Sequence, residues 1–191
     1  MTNYKTISIE LTKWCNLDCL FCYSRCPSDI IYDELSYDSF CDFLMKWKNN
    51  GGERVLFTGG EVFLRNDFFD LLYYAKSLDL VVDVFSNGTL IDDNSAGLLG
   101  KYINLINVSL DGPKEFHDHY RKSIGSYEKT LEGLQNLSNH NVHFALQCMI
   151  TPDNYQNTAW LIDIVKRLKP VMVKLGHVSK MGRGKEAADL W

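Results

Sequence analysis

Lys5-Thr6-Ile7-Ser8-Ile9-Glu10-Leu11 is a short β-branched run. It gives way to Thr12-Lys13-Trp14-Cys15-Asn16-Leu17-Asp18-Cys19-Leu20-Phe21-Cys22-Tyr23, a loop-like stretch dense in cysteine and polar residues. The same succession recurs along the chain. Strands are predicted over Lys5–Leu11, Arg54–Thr58, Leu80–Ser86, Leu105–Leu110, Val142–Ile150 and Val171–Leu175. Between them, helices are predicted over Tyr37–Asn49, Asp67–Ser77, Asp93–Tyr102, Ser126–Ser138 and Asn154–Leu168. In the fourth helix Tyr127, Leu131, Leu134 and Leu137 keep the spacing of a buried stripe, and in the fifth Leu161, Ile164, Val165 and Leu168 share a face. Gly51-Gly52 and Pro170 mark helix ends where the chain turns back. Strands alternating with helices imply an α/β fold with a parallel sheet and right-handed crossovers. A partial (β/α)6 barrel fits the count, with a flat doubly wound sheet as the competing topology. Six strands do not close a barrel that eight would close, so the barrel stays open on one side.

Composition narrows the class. Of 191 residues, 46% are hydrophobic and only four are proline, which suits one globular domain over residues 1–191 and excludes a disordered or collagen-like chain. The net charge of −4 provides no basic field for nucleic acid. The apolar run Leu78–Phe85 is short and broken by Asp79 and Asp83, so no membrane span is expected. Met1-Thr2-Asn3-Tyr4-Lys5-Thr6-Ile7-Ser8 lacks the apolar centre of a secretory signal, so a cytoplasmic protein is expected.

In parallel α/β folds chemistry belongs at the C-terminal ends of the strands. Here the loops after five of the six strands carry the unusual residues. They are the cysteine loop, Thr58-Gly59-Gly60-Glu61, Ser86-Asn87-Gly88-Thr89, Ser109-Leu110-Asp111-Gly112-Pro113, and Gly176 with Met181-Gly182-Arg183-Gly184. Any one alone is a turn signal; together on one rim they predict a site.

Four of the six cysteines, Cys15, Cys19, Cys22 and Cys26, fall in a tight local cluster, which reads as metal ligation and not as a disulfide framework. Cys15-x3-Cys19-x2-Cys22 provides three thiolates, enough for three irons of a [4Fe–4S] cluster with the fourth iron left open. Four thiolates including Cys26 could instead hold zinc tetrahedrally, or ligate a ferredoxin-like cluster completely. The first spacing and the lack of a second cysteine run weigh against a ferredoxin. Structural zinc gives no reason for the other rim loops.

Cys15-x3-Cys19-x2-Cys22, with Phe21 before the third cysteine, resembles the signature of the radical SAM superfamily. Thr58-Gly59-Gly60-Glu61 resembles its Gly-Gly-Glu motif, and Ser86-Asn87-Gly88-Thr89-Leu90 and Val108-Ser109-Leu110-Asp111-Gly112-Pro113 resemble its third- and fourth-strand motifs. His117-Asp118-x2-Arg121 with Gly125-Ser126-Tyr127, and later Gly182-Arg183-Gly184, resemble the subgroup of peptide and protein maturases.

The resemblance implies a [4Fe–4S] cluster on Cys15, Cys19 and Cys22, and S-adenosylmethionine cleaved reductively to a 5′-deoxyadenosyl radical that abstracts a substrate hydrogen. It implies cofactor contacts from Phe21, Thr58, Gly59, Gly60, Glu61, Asn87, Ser109, Asp111 and Arg121. Glu61 would orient the methionine amine, Ser109 and Asp111 would lie near the ribose, Arg121 would pair with the methionine carboxylate and Phe21 would lie near the adenine. The implied partners are a peptide or protein substrate, and an electron donor such as flavodoxin or ferredoxin. The alternatives are a glycyl-radical-enzyme activase, a peptide-binding relative that has lost turnover, and a non-catalytic iron–sulfur or zinc module. Maturases of this kind usually continue into a cysteine-rich C-terminal domain, and here no cysteine follows Cys148. Cys26 is expected to be a spare thiol. The edge of strand six is expected to be covered by a further domain, a second subunit or the substrate peptide.

Overall fold

The computed structural model describes residues 5–26 and 34–190. Its strands are β1 (Thr6–Thr12), β2 (Arg54–Gly59), β3 (Val81–Ser86), β4 (Leu105–Ser109), β5 (Phe144–Ile150) and β6 (Met172–His177). They form one sheet in the order β1-β2-β3-β4-β5-β6, with every neighbouring pair parallel. Helices α1 (Tyr37–Asn49), α2 (Phe68–Ser77), α3 (Asp93–Tyr102), α4 (Lys114–Arg121), α5 (Ser126–Asn139) and α6 (Thr158–Leu168) make the crossovers. Each strand lies beside its neighbour in sequence, so the order never reverses as a doubly wound sheet requires. The architecture is an open (β/α)6 partial barrel. Among the described residues no helix is long and apolar enough to cross a membrane.

Strand alternation sorts side chains between two faces. Val55 and Phe57 of β2, Val82 and Val84 of β3, Ile106 and Val108 of β4 and Leu146 of β5 face the helices. There they are buried in one core with Leu44, Leu71, Leu99, Leu134 and Leu168. Burying one such side chain contributes about 1.5–3 kcal/mol. The residues one step out of phase, Thr58, Phe85, Ser109 and Gln147, face the opposite side and line a cavity. The period-two pattern thus fixes both the core and the site.

Helix α4 is not among the helices that the sequence predicts. Its buried residues are His117, Asp118, Tyr120 and Arg121, so no aliphatic stripe announces it. Asp118 explains much of this polarity. Its carboxylate accepts hydrogen bonds from the backbone N–H groups of Gly125 (2.8 Å) and Tyr127 (2.8 Å) and from the Ser126 hydroxyl (2.9 Å). It thereby caps α5 from outside that helix. Helix α6 begins at Thr158 and not at Asn154, because residues 151–154 form a turn. The Asn154 side chain accepts from Thr151 N (2.8 Å) and donates to the carbonyls of Asp111 and Met149 (both 2.7 Å), which spends it on the exits of β4 and β5.

Candidate functional site

At the C-terminal ends of the strands lies a cavity of about 350 Å³. One wall carries Cys15, Cys19, Cys22 and Cys26 with Phe21; the other carries Phe85, Ser109, Gln147, Met149 and His177. Thr58, Gly59, Gly60, Asn87 and Arg121 complete the lining. All four thiols are free. Cys15, Cys19 and Cys26 are buried in a small cluster of their own with Leu17, and Cys22 packs against it. Cys26 therefore lines the same cavity as the other three.

The cysteine loop is held from outside by the segment after β6. Arg183 donates from its backbone N–H to Cys22 O (2.9 Å), from Nε to Cys19 O (2.7 Å) and from Nη1 to Cys26 O (3.2 Å). It also pairs with Asp18 at 3.0 Å. Gly182 sits at φ +54°, and a Cβ there would fall 2.2–2.3 Å from the carbonyl oxygens of Tyr23 and Cys22. The Gly-Arg-Gly turn is a clasp on the cysteine loop. Arg183→Ala is expected to raise amide hydrogen exchange across residues 18–26 by at least about tenfold, since the carbonyls of Cys19 and Cys26 lose a charged donor and Asp18 loses its ion pair, while the backbone bond to Cys22 O remains. Unchanged exchange in that variant would contradict the clasp.

Gly59 and Gly60 are required by a close approach within the protein. A Cβ on Gly60 would lie 2.1 Å from Trp14 O, and one on Gly59, at φ +145°, would lie 2.3 Å from Thr12 O. Gly60 N donates to Thr12 O (2.7 Å) and Glu61 N to Trp14 O (2.8 Å), so the β2 loop supports the strand exit that leads into Cys15. The Glu61 side chain is fully buried and is not part of the cavity lining. It accepts from Ser86 Oγ (2.8 Å), Asn87 N (2.7 Å) and Phe63 N (3.4 Å), bracketing the ends of β2 and β3. Burial pushes its pKa up to about 7, against the pull of these donors. Asn87 in turn donates to Asn16 Oδ1 (2.8 Å), tying the β3 loop to the cysteine loop.

Arg121 is the buried cation of the site. Its Nε donates to Asp111 Oδ2 (2.7 Å), its Nη1 reaches Cys19 Sγ (3.6 Å), and its guanidinium lies 5.4 Å from the centroid of the Phe21 ring. Burial alone would depress its pKa; Asp111 and Cys19 raise it and keep it charged. Asp111 is buried away from the cavity lining and accepts a second bond from Met149 N (3.1 Å), so its carboxylate serves Arg121 directly. His117 lies beneath, with Asp111 N donating to its Nδ1 (3.3 Å). Burial and the Arg121 charge lower its pKa to about 4.

Electrostatics separates the thiols. Burial pushes Cys15 up to about 12 and raises Cys19, where Arg121 opposes the rise. A hydrogen bond from Cys26 lowers Cys22 to about 5, and the same bond raises Cys26. Among the described residues no group of three or more His, Cys, Asp or Glu is gathered closely enough to hold a single metal ion. Soft thiols ringing a roomy cavity suit an inorganic iron–sulfur cluster better than one tetrahedral zinc. Thus the structure brings Cys15, Cys19, Cys22, Phe21, Thr58, Gly59, Gly60, Asn87, Ser109 and Arg121 to one cavity, and sets Glu61 and Asp111 behind it. Sequence reasoning missed the β5 contribution, Gln147 and Met149. Their signal was alternation alone, a polar and a soft residue at the two positions that interrupt the core-facing pattern of Leu146 and Cys148.

Residues 9–166 match the family described as the radical SAM superfamily. Fe-coproporphyrin III synthase of Methanosarcina barkeri is 29% identical over 181 residues, 94% of this chain and 45% of that protein. The sporulation killing factor maturation protein SkfB of Bacillus subtilis is 28% identical, over 97% of this chain and 46% of that protein. Streptococcus suis SuiB bound to S-adenosylmethionine superposes with a TM-score of 0.83 at 17% identity, covering 98% of this chain and 43% of that one. The chain spans about half the length of the curated relatives it matches.

Proposed function

The chain belongs to the radical SAM superfamily, and on that premise we propose that it cleaves S-adenosylmethionine reductively, with Cys15, Cys19 and Cys22 holding a [4Fe–4S] cluster. The observation that carries the reading is one cavity shared by the three thiols, the buried Arg121 and the glycine-lined end of β2. When bound, the cluster supplies the electron that splits S-adenosylmethionine into methionine and a 5′-deoxyadenosyl radical, which takes a hydrogen atom from substrate. Residues 1–191 are read as a single radical SAM core domain working in the cytoplasm, with a flavodoxin or ferredoxin as electron donor.

The chain's own residues divide the work. Arg121, charged and oriented by Asp111, faces the cavity as partner for the methionine carboxylate. Gly59, Gly60 and Thr58 present backbone and hydroxyl groups for the methionine amine. Glu61 acts at one remove by fixing Ser86 and Asn87. Phe21 offers a ring to the adenine, and Ser109 a hydroxyl to the ribose. Leu17 and Met149, also at the cavity, help to exclude water. Arg121→Ala is expected to weaken S-adenosylmethionine binding roughly ten- to a hundredfold while the cluster absorbance stays, because a charge-assisted bond contributes about 1.5–3 kcal/mol. Isothermal titration of the reconstituted variant measures this, and wild-type affinity would return Arg121 to a purely structural pairing with Asp111.

A peptide or protein is the substrate we favour. The trough is open, and β6 is a sheet edge with Met172 and Leu175 exposed, a geometry that accepts an added strand. SkfB, a maturation protein, supports the same reading. The similarity to Fe-coproporphyrin III synthase supports a second one, a tetrapyrrole. Incubating the reduced holoenzyme with peptides encoded beside its gene, and separately with a panel of carboxylate-bearing porphyrins, decides between them. The peptide reading expects a change of peptide mass with 5′-deoxyadenosine release; turnover of a porphyrin alone would overturn it.

A further inference from the structure

Below the cavity, besides Arg54, which pairs with Asp83, the concave face of the sheet carries a cation that the cofactor reading does not use. Lys174 of β6 is half-buried, and its backbone neighbour Val173 packs on the opposite, core side. Its Nζ donates to Asn107 Oδ1 (2.7 Å) and lies 5.7 Å from the centroid of the Phe85 ring, which lines the cavity. Asn107 is buried and held by its own Nδ2 donating to Val84 O (3.2 Å), so its oxygen is fixed toward the lysine. The hydrogen-bond partner of Lys174 among the described residues is thus a neutral amide and leaves its charge uncompensated. Directly across the β5–β6 register stands Gln147, whose side chain lines the cavity, and the next inward position on β5 is Met149.

Resting on the radical SAM reading of the cavity above it, we propose that Lys174 and Gln147 form a subsite for a substrate carboxylate. One cation beside one amide donor matches the single negative charge of a carboxylate, which accepts two or more hydrogen bonds. Phe85 and Met149 bound the subsite with apolar surface, which suits a carboxylate carried on a short apolar stem. An acidic peptide side chain and a porphyrin propionate both present that group. The subsite anchors the substrate through this group and leaves the reacting carbon to the cavity. An inward lysine also guards a sheet edge against pairing, and the experiment separates that role from binding.

The test uses the cluster-reconstituted protein under anaerobic conditions and two matched pairs of probes. One pair is coproporphyrin III and its tetramethyl ester; the other is the blocked peptide Ala-Phe-Glu-Phe-Ala and its glutamine counterpart. Wild type is expected to bind the acid of at least one pair about tenfold or more tighter than its neutral partner. Lys174→Met is expected to abolish the preference and Lys174→Arg to restore most of it. Lys174→Gln, with a melting curve, serves where the methionine variant folds poorly. The pair that shows the preference identifies the source of the carboxylate. No acid preference in either pair, or a preference that survives in Lys174→Met and Lys174→Gln, overturns the subsite. Release of 5′-deoxyadenosine by wild type with dithionite reports separately on the radical SAM reading, so failure of one is distinguishable from failure of the other.

Discussion

Alanine at Cys15, Cys19 or Cys22 is expected to abolish the brown iron–sulfur absorbance of the reconstituted protein and, with it, all cleavage of S-adenosylmethionine. A single side-chain replacement has no larger expected effect in this chain. On the proposed reading each of these thiolates holds one iron, and Cys26, hydrogen-bonded to Cys22, is not among the ligands. Cys26→Ala is expected to keep the absorbance and most of the cleavage. Cys26 lies in the same buried cluster and hydrogen-bonds Cys22, so removing it alters the surroundings of one ligand without removing a ligand. A cubane with four cysteines has no free iron for S-adenosylmethionine. Loss of the cluster in Cys26→Ala would favour that four-thiolate arrangement over the one proposed.

Gly60→Ala is expected to be almost as damaging, through the backbone alone. The new Cβ would sit 2.1 Å from Trp14 O and 2.6 Å from Trp14 C, in a place where no flexible side chain can yield. The segment that must move is the one that delivers Cys15. Overpacking of this kind typically costs about 1–3 kcal/mol, and against backbone the upper end applies. The measurement is paired: iron content after reconstitution and the midpoint of urea unfolding of the apoprotein. Both should fall. Gly51→Ala is the control for backbone strain without a clash, because its Cβ meets nothing within 4 Å while its φ of +87° is left-handed, a conformation Gly60 does not adopt. A Gly60→Ala protein that binds iron normally would show that the Thr12–Trp14 approach is not what this glycine is for.

How far the sequence was legible depended on which kind of residue carried the signal. Apolar periodicity announced α5 through Tyr127, Leu131, Leu134 and Leu137, all of which belong to the core or pack against it. It announced the strands within a few residues, because period-two burial against helices leaves the same mark everywhere. Helix α4 left no such mark. Its inward face is His117, Asp118, Tyr120 and Arg121, and what stabilises it is a set of hydrogen bonds and charges that reach distant loops. Composition records an apolar stripe but not a partner far away in sequence. The same limit applied to Glu61 and Asp111. Their motifs marked them as belonging to the site, yet no local pattern says whether a carboxylate points into a cavity or braces a neighbour behind it. The Gly-Arg-Gly turn was visible only as a motif; its grip on Cys19, Cys22 and Cys26 spans almost the whole chain.

One assay tests the central claim most directly. The protein is reconstituted anaerobically with iron and sulfide, reduced with dithionite, given S-adenosylmethionine and analysed by liquid chromatography for 5′-deoxyadenosine. The account predicts 5′-deoxyadenosine and methionine in equal amounts, formed only when reductant and cluster are both present, and none from the Cys15→Ala, Cys19→Ala and Cys22→Ala proteins. A fully reconstituted, reduced wild-type protein that binds S-adenosylmethionine and leaves it intact would contradict it.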